Sequence, residues 1–118
     1  MFKDARLEKL ISLHHKVTVF VPATVGVNKT VDNAQQVDDT ARLLSDCFGG
    51  ATSSPAVGYW NSGAVGLVKE NTTVVFSYAS ETDLSHHLGS VLDWCAALRV
   101  SMQQENVALE IDGQMYFI

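Results

Sequence analysis

Two histidine pairs are the first residues whose types and spacing could do chemistry. His14 adjoins His15, His86 adjoins His87, and Asp83 lies four residues before His87. Adjacent residues of a helix point about 100° apart, so neither pair can easily grip one metal ion. Asp83 and His87 share a helix face, but no cysteine or second carboxylate stands at ligand spacing and no HExxH motif occurs. We therefore predict no metal site.

The sequence also lacks the patterns that activate a nucleophile or bind phosphate. Cys47 and Cys95 both fall on apolar helical stripes, which favours core packing over catalysis or a disulfide. No serine lies in a GxSxG motif. The segment GVNKT, residues 26–30, resembles the end of a P-loop but lacks its first glycine and its GK[ST] ending. From these patterns we predict no catalytic residue and no cofactor.

The strongest candidate site is a group of aromatic and acidic residues on two adjacent strand patterns. Tyr59 and Trp60 precede NSGA, a composition typical of a hairpin tip, and Glu70 follows it beside Lys69. Tyr78 lies farther along the second strand pattern. Tyrosine and tryptophan often anchor a ligand or a protein partner, although the same residues also serve as ordinary core or dimer contacts. The group is therefore a predicted binding surface.

A polar loop is expected to border this surface. Residues 24–33, TVGVNKTVDN, join a strand pattern to a helical pattern and have the length of a functional or mobile connection. If the loop folds toward the aromatic residues, it forms a lid or wall. The predicted binding residues are therefore Thr24, Asn28, Lys29, Tyr59, Trp60, Glu70 and Tyr78.

Hydrophobic periodicity predicts an α+β fold with the order α, β, α, β, β, α, β, β. The first helix is expected over residues 4–14, the first strand over 16–22 and the second helix over 33–48. Without the first helix and the last strand, a βαββαβ core remains. That is the ferredoxin-like (split βαβ) order, with two helices on one face of an antiparallel sheet. Asp112-Gly113 predicts a type I′ turn between the last two strands, with Leu109 facing Tyr116.

Length and composition narrow the class of protein. A chain of 118 residues with 47% hydrophobic and 18% charged residues predicts a single domain, with residues 1–15 as an N-terminal helical extension and 16–118 as the core. No run of 18 apolar residues and no secretion signal occur, which predicts a cytoplasmic protein outside the membrane. A net charge of −5 with scattered basic residues argues against direct nucleic-acid binding.

Five sequence blocks together resemble a family of small proteins from phages, prophages and conjugative elements of Gram-positive bacteria. The blocks are VTVFVPATVGVN, FGGAT, GYW, GLVKE and ALEIDGQMYFI, and the resemblance covers about residues 16–118. It implies an accessory protein of a mobile element, and such proteins often counter host defences by binding a nuclease or a nucleotide messenger. The residues on these blocks are Pro22, Thr24, Asn28, Gly49, Gly50, Trp60, Glu70, Glu110 and Gly113.

The predicted function is a non-enzymatic binding module of a phage or mobile element. It would capture a host defence protein, such as a CRISPR nuclease, or its nucleotide messenger in stoichiometric amounts. One alternative is a small enzyme with a pocket between residues 24–29 and Trp60, with Glu70 or His87 as acid or base. A further alternative is a structural homodimer that pairs through the open face of the sheet and holds no ligand.

Overall fold

The computed structural model describes residues 3–26 and 29–118. Five strands form one antiparallel sheet in the order β4-β5-β1-β6-β7, and β2 and β3 form a separate ribbon. The protein is therefore α+β, as its sequence predicts. The elements within the described residues are α1 (Ala5–Glu8), β1 (His15–Pro22), β2 (Thr24–Val25), β3 (Lys29–Thr30), α2 (Ala34–Phe48), β4 (Thr52–Ser62), β5 (Gly66–Ala79), α3 (Glu81–Ser101), β6 (Ala108–Ile111) and β7 (Gln114–Phe117).

The central strand β1 carries the middle row of the hydrophobic core. Val17, Val19 and Val21 alternate along the strand toward α2 and α3, and all three are fully buried. Val19 pairs with Val75 of β5 on one side and with Leu109 of β6 on the other. The β-branched side chains suit this pleated, covered surface, so one face of the sheet is sealed by the two long helices.

Local signals define the two long helices. α2 ends at Gly49, whose φ of 98° is readily available only to glycine. α3 begins after Ser80, whose hydroxyl accepts a hydrogen bond from the Asp83 amide at 3.1 Å. Trp94 Nε1 of α3 donates to Thr40 Oγ1 of α2 at 2.8 Å and ties the helices together. No helix in the described part of the chain is long and apolar enough to cross a membrane.

The N-terminal helix is shorter than the sequence predicts. Asp4 caps it by accepting a hydrogen bond from the Arg6 amide at 2.9 Å, but the helix ends at Glu8 rather than near residue 14. None of its residues is buried, and Ile11 beyond it is 97% exposed. Because an isolated helix gains little without packing against other elements, the apolar spacing alone does not extend it.

The segment predicted as an irregular polar loop contains the β2–β3 ribbon. Thr24 pairs with Thr30, and the Val31 amide donates to the Ala23 carbonyl at 2.9 Å. Asn33 then anchors the start of α2, because its side-chain Nδ2 donates to the Pro22 carbonyl at 3.3 Å. The connection is therefore built by backbone pairing, a feature that its glycine-containing composition did not predict.

The C-terminal hairpin confirms the sequence prediction for its turn and register. Asp112 and Gly113 have φ values of 53° and 84°, as a type I′ turn requires. Leu109 lies opposite Tyr116, and Ile111 lies opposite Gln114. A local two-residue signal is sufficient here because the turn itself determines the pairing of both strands.

His15 joins three separate elements at the start of β1. Its Nδ1 lies 2.5 Å from Asp112 in the β6–β7 turn, and its Nε2 lies 2.5 Å from Glu81 at the start of α3. The hydrogen bond with Asp112, followed by that with Glu81, raises the pKa of His15 above 6.5. The same contact with His15, helped by the Lys16 amide, lowers the pKa of Asp112 below 3.8. The contact therefore favours the charged form of both His15 and Asp112.

Candidate functional site

The β4–β5 hairpin places Trp60 and Glu70 together. Glu70 lies opposite Gly58, and Trp60 lies opposite Val68, so all four positions share one face of the hairpin. Gly58 has no side chain, which leaves the Glu70 side chain uncovered from β4. Tyr59 lies on the other face, because successive strand residues point to opposite sides. Two of the predicted site residues therefore meet, and Tyr59 is separated from them.

Glu70 lies on a projecting part of this hairpin. β1 ends at Pro22, which pairs with Thr72, so within residues 3–26 and 29–118 the β5 residues before Thr72 have no partner strand on the β1 side. We call residues 58–70, which lie in this region, the hairpin arm. The arm brings Trp60 to the same cleft as Phe117, although β4 and β7 are opposite edges of the sheet.

A cleft of about 450 Å³ lies between the hairpin arm, the end of β2 and the loop after α3. Its volume is typical of pockets that bind small molecules. Its described lining contains two carboxylates, two aromatic rings, three side-chain amides and one glycine, with no basic side chain. These residues are Gly26, Trp60, Glu70, Gln103, Gln104, Glu105, Asn106 and Phe117.

Glu70 is a half-buried carboxylate that is free to meet a ligand. In the described ranges it takes part in none of the ion pairs, which involve Asp4, Asp39, Glu81 and Asp112. Withdrawing a carboxylate from water without a cationic partner costs free energy, and such groups cluster at functional sites. A positively charged ligand group would supply the missing partner.

The predicted loop residues lie on the far side of Glu70. A second cavity of about 340 Å³ is bordered by Glu70, Lys69 and Asn71 of β5 and by Thr24 of the ribbon. Thr24 and Glu70 therefore line one cavity, and a role of Thr24 in binding stays a prediction. Lys29 is exposed and lines neither cavity. The predicted residue Asn28 lies outside the described residues.

Tyr78 does not belong to this site. It lies at the other end of β5, with its ring centroid 6.0 Å from that of Phe76, and Lys16 Nζ lies 4.4 Å from the Phe76 centroid. A separate cleft of about 460 Å³ borders Tyr78 together with Phe48 and Leu13, and its described lining has no carboxylate. The predicted aromatic surface is therefore divided among two faces and two ends of the sheet.

The histidines of α3 also lie away from Glu70. His87 packs edge-on against Phe48, with centroids 6.2 Å apart, near the beginning of α3. The candidate cleft instead borders the loop after the end of α3, so His87 is not positioned as an acid or base partner of Glu70. In the ranges that the structure describes, no group of three or more His, Cys, Asp or Glu side chains could hold a metal ion.

The two cysteines are poor nucleophiles. Cys95 is fully buried, and this burial raises its pKa to about 11. Burial, followed by the charge of Asp46, raises the pKa of Cys47 as well. Both thiols therefore stay protonated near neutral pH and pack as small apolar groups, as the helical stripes predict.

Sequence reasoning missed the part of the cleft that follows α3. Gln103, Gln104 and Asn106 form an ordinary polar run after a helix, and Phe117 lies in a short terminal strand pattern. No motif marks these positions. Phe117 is a large apolar residue on an edge strand, where it is exposed, and such a residue can mark a binding surface. This signal does not show which other segment it would meet. Only the tertiary fold brings these residues to Glu70.

Comparison with known proteins identifies the fold. No family model matches the chain, and no curated protein is significantly similar to it in sequence. A phage SAM lyase in complex with S-methyl-5'-thioadenosine is 24% identical, with a TM-score of 0.67 over 95% of this chain and 94% of that chain. A phage SAM lyase in the apo state is 25% identical, with a TM-score of 0.65 over 93% of this chain and 95% of that chain. The similarity therefore spans the whole fold.

This similarity corrects the function predicted from the sequence. The prediction of a non-enzymatic binding module is wrong, and so is the expectation that the chain is not an enzyme, because both similar structures are of an enzyme. The prediction treated the lack of a nucleophile or metal motif as evidence against catalysis. A lyase needs neither, since it can act by holding a reactive substrate in position. The alternative of a small enzyme with Trp60 and Glu70 in its pocket is better supported.

Proposed function

We propose that this protein is a lyase that cleaves S-adenosylmethionine in the cleft beside Glu70. The observation that carries the proposal is a cleft with two carboxylates and two aromatic rings whose described lining has no basic side chain. S-adenosylmethionine carries a sulfonium, an ammonium, one carboxylate and a planar base, and its net charge is positive. Carboxylates attract the two cations, and aromatic rings stack on a base or face a cation. A phosphate-bearing ligand would meet only repulsion from Glu70 and Glu105.

The ligand of the similar enzyme supports this substrate class. S-methyl-5'-thioadenosine is what remains of S-adenosylmethionine when the bond between sulfur and the aminobutyrate chain breaks. In the proposed reaction the electron pair of that bond moves to sulfur, and the sulfonium becomes a neutral thioether. In the same step the four-carbon fragment either loses a proton to a base, which forms an alkene, or its own carboxylate oxygen bonds to the carbon that leaves sulfur, which closes a ring. Both routes balance without water or an external reductant.

We assign Glu70 to binding the positive charge of the substrate. Its half-buried position and its lack of an ion-pair partner in the described chain make it the cleft carboxylate with most to gain from a cation. Glu105, the other cleft carboxylate, is exposed and better solvated. If the alkene route operates, Glu70 is also the candidate base for the departing proton.

Incubation of the purified protein with S-adenosylmethionine tests the proposal. Mass spectrometry should show that S-methyl-5'-thioadenosine appears mole for mole as substrate disappears, with many turnovers per chain. Glu70→Gln should lower kcat/KM, whereas Glu110→Gln should not, because Glu110 is a half-buried sheet carboxylate outside the cleft. Binding without turnover, or equal loss in both variants, would overturn the assignment.

The proposal also covers the setting of the protein. The phage origin of both similar enzymes supports the predicted phage context. Destroying S-adenosylmethionine would remove the methyl donor of host methyltransferases, so we propose counter-defence by consumption of a metabolite in the cytoplasm. We retain the ferredoxin-like assignment as part of the proposal, because β5 and β1 lie between β4 and β6 as that order requires.

We retain a homodimer through the open sheet face as a proposal. Tyr78, Met115 and Phe117 are exposed on the face opposite the helices, as the strand registers place them. Thr18 Oγ1 is buried on the same face and has no hydrogen-bond partner among the described residues. Light scattering should give twice the chain mass, and Met115→Asp should return the monomer. A monomeric wild-type protein would refute this assembly.

A further inference from the structure

The side-chain amide of Gln104 connects the end of α3 to the β2–β3 ribbon. Its Nε2 donates to the Thr24 carbonyl at 2.9 Å, to the Gly26 carbonyl at 3.2 Å and to the Met102 carbonyl at 3.0 Å. Thr24 Oγ1 lies 3.3 Å from the same nitrogen. A primary amide has two hydrogens, so it bridges acceptors from both elements at once.

The backbone around Gln104 is arranged to present this amide. Gln103 has a φ of 53°, a conformation that residues other than glycine rarely adopt, and it turns the chain back after α3. The backbone N–H of Gln104 donates to the Arg99 carbonyl at 2.9 Å, and this bond holds the turn against the helix. The Gly26 amide donates to the Met102 carbonyl at 2.9 Å and joins the ribbon to the same place.

We infer that Gln104 is a positioning residue that fixes the Gly26 wall of the cleft. This inference rests on the proposed function, because the wall matters only if a ligand occupies the cleft beside Glu70. Gly26 and Gln104 both line that cleft, and the amide of Gln104 supplies contacts from the loop after α3 to both Thr24 and Gly26. Without it, one hydrogen bond among the described residues, from the Gly26 backbone N–H to the Met102 carbonyl, still joins the ribbon segment to the end of α3.

The wall is suited to the nucleoside half of the ligand. Gly26, Gln103 and Asn106 offer neutral donors and acceptors, which match the hydroxyls and base of a nucleoside. The charged half belongs with Glu70. Removing the Gln104 side chain should therefore weaken the binding of S-adenosylmethionine and of S-methyl-5'-thioadenosine by the same factor, because both ligands carry the nucleoside.

Two substitutions of Gln104 and one control isolate this effect. Gln104→Glu replaces a donor by a carboxylate that faces three carbonyl oxygens, and Gln104→Ala removes the group. Gln114→Glu adds the same charge at an exposed position in β7, outside the cleft. Circular dichroism and thermal melting establish that each variant is folded.

Hydrogen exchange and ligand binding then give separate readouts. Exchange of the Gly26 and Val31 amides should accelerate in both Gln104 variants and not in Gln114→Glu. In Gln104→Ala, which adds no charge to the cleft, the KM for S-adenosylmethionine and the Kd for S-methyl-5'-thioadenosine should each rise about tenfold, while kcat changes less. Equal exchange rates in all proteins would show that Gln104 does not hold the ribbon. Faster exchange with unchanged ligand binding would overturn the positioning role of Gln104.

The two proposals fail in different ways. If the wild-type protein neither binds S-methyl-5'-thioadenosine nor cleaves S-adenosylmethionine, the proposed function is wrong. The exchange rates of Gly26 and Val31 still decide in that case whether Gln104 holds the ribbon, because this measurement needs no ligand. If the wild type is active and the Gln104 variants match it in KM, only the inference about Gln104 is wrong.

Discussion

Replacing Glu70 by glutamine removes one negative charge from the cleft while keeping the size of the side chain. Two unit charges about 4 Å apart attract by about 4 kcal/mol at an effective dielectric constant of about 20. Glu70 is only half-buried, so solvent and salt reduce this to about 1–2 kcal/mol. The expected loss of affinity for a cationic ligand is therefore about 5- to 30-fold.

Three ligands of graded charge test whether Glu70 recognises a cation. S-adenosylmethionine carries a sulfonium, an ammonium and a carboxylate, S-adenosylhomocysteine keeps only the ammonium and the carboxylate, and S-methyl-5'-thioadenosine carries none of the three. Calorimetry with the last two ligands, together with the KM for the first, compares wild type with Glu70→Gln. Affinity for the uncharged ligand should stay within about twofold, and the response of S-adenosylhomocysteine shows which cation Glu70 faces.

Two results would refute this reasoning. If Glu70→Gln weakens the binding of S-methyl-5'-thioadenosine as much as that of the charged ligands, Glu70 contributes shape or hydrogen bonding rather than charge. If Glu110→Gln weakens the charged ligands equally, the effect comes from the net charge of the protein and not from the cleft. Raising the salt concentration should also reduce wild-type affinity for the charged ligands more than it reduces that of Glu70→Gln.

Three further predictions concern stability and reactivity. Because the pKa of His15 is raised and that of Asp112 is lowered, their contact stabilises the fold fully between pH 3.8 and 6.5 and loses this effect as pH rises through the raised value of His15. In thermal melts His15→Gln should therefore have a lower Tm than wild type between pH 3.8 and 6.5, with the gap closing well above pH 6.5. Trp94→Phe removes the donor to Thr40 and should lower the free energy of unfolding in urea by about 1 kcal/mol; no change would show that the hydrogen bond is replaced by water. Cys95, with a pKa of about 11, should react with a thiol reagent only after unfolding, and labelling of the native protein would contradict its burial.

Local sequence signals predict the elements whose geometry is determined within a few residues. Asp112-Gly113 predicts both the type I′ turn and the register of the last hairpin, because positive φ at two positions allows few alternatives. The N-terminal helix fails for the opposite reason. Its apolar spacing is helical, but Leu10 and Ile11 are largely exposed in the described structure, and tertiary packing decides whether such a segment extends.

The candidate site was predictable only in part. Trp60 and Glu70 lie on adjacent strand patterns, so their proximity follows from the hairpin. Tyr59 was grouped with them, although it is adjacent to Trp60 in one strand and adjacent strand residues point to opposite faces, so the strand pattern itself separates the two rings. Phe117 and Gln104 reach the cleft from distant segments through the assembled fold. The enzyme class was missed because no motif marks a site that binds its substrate without a nucleophile or metal.

The central position of β1 also determines the order in which the protein can fold. The β4–β5 and β6–β7 hairpins join neighbouring segments, so each can form within microseconds. β1 must instead find β5 and β6 far along the chain, with Val19 meeting both Val75 and Leu109. Closing such long loops lowers the conformational entropy of the chain before any core contact stabilises it. We therefore expect the insertion of β1 between the two hairpins to be the slow step of refolding.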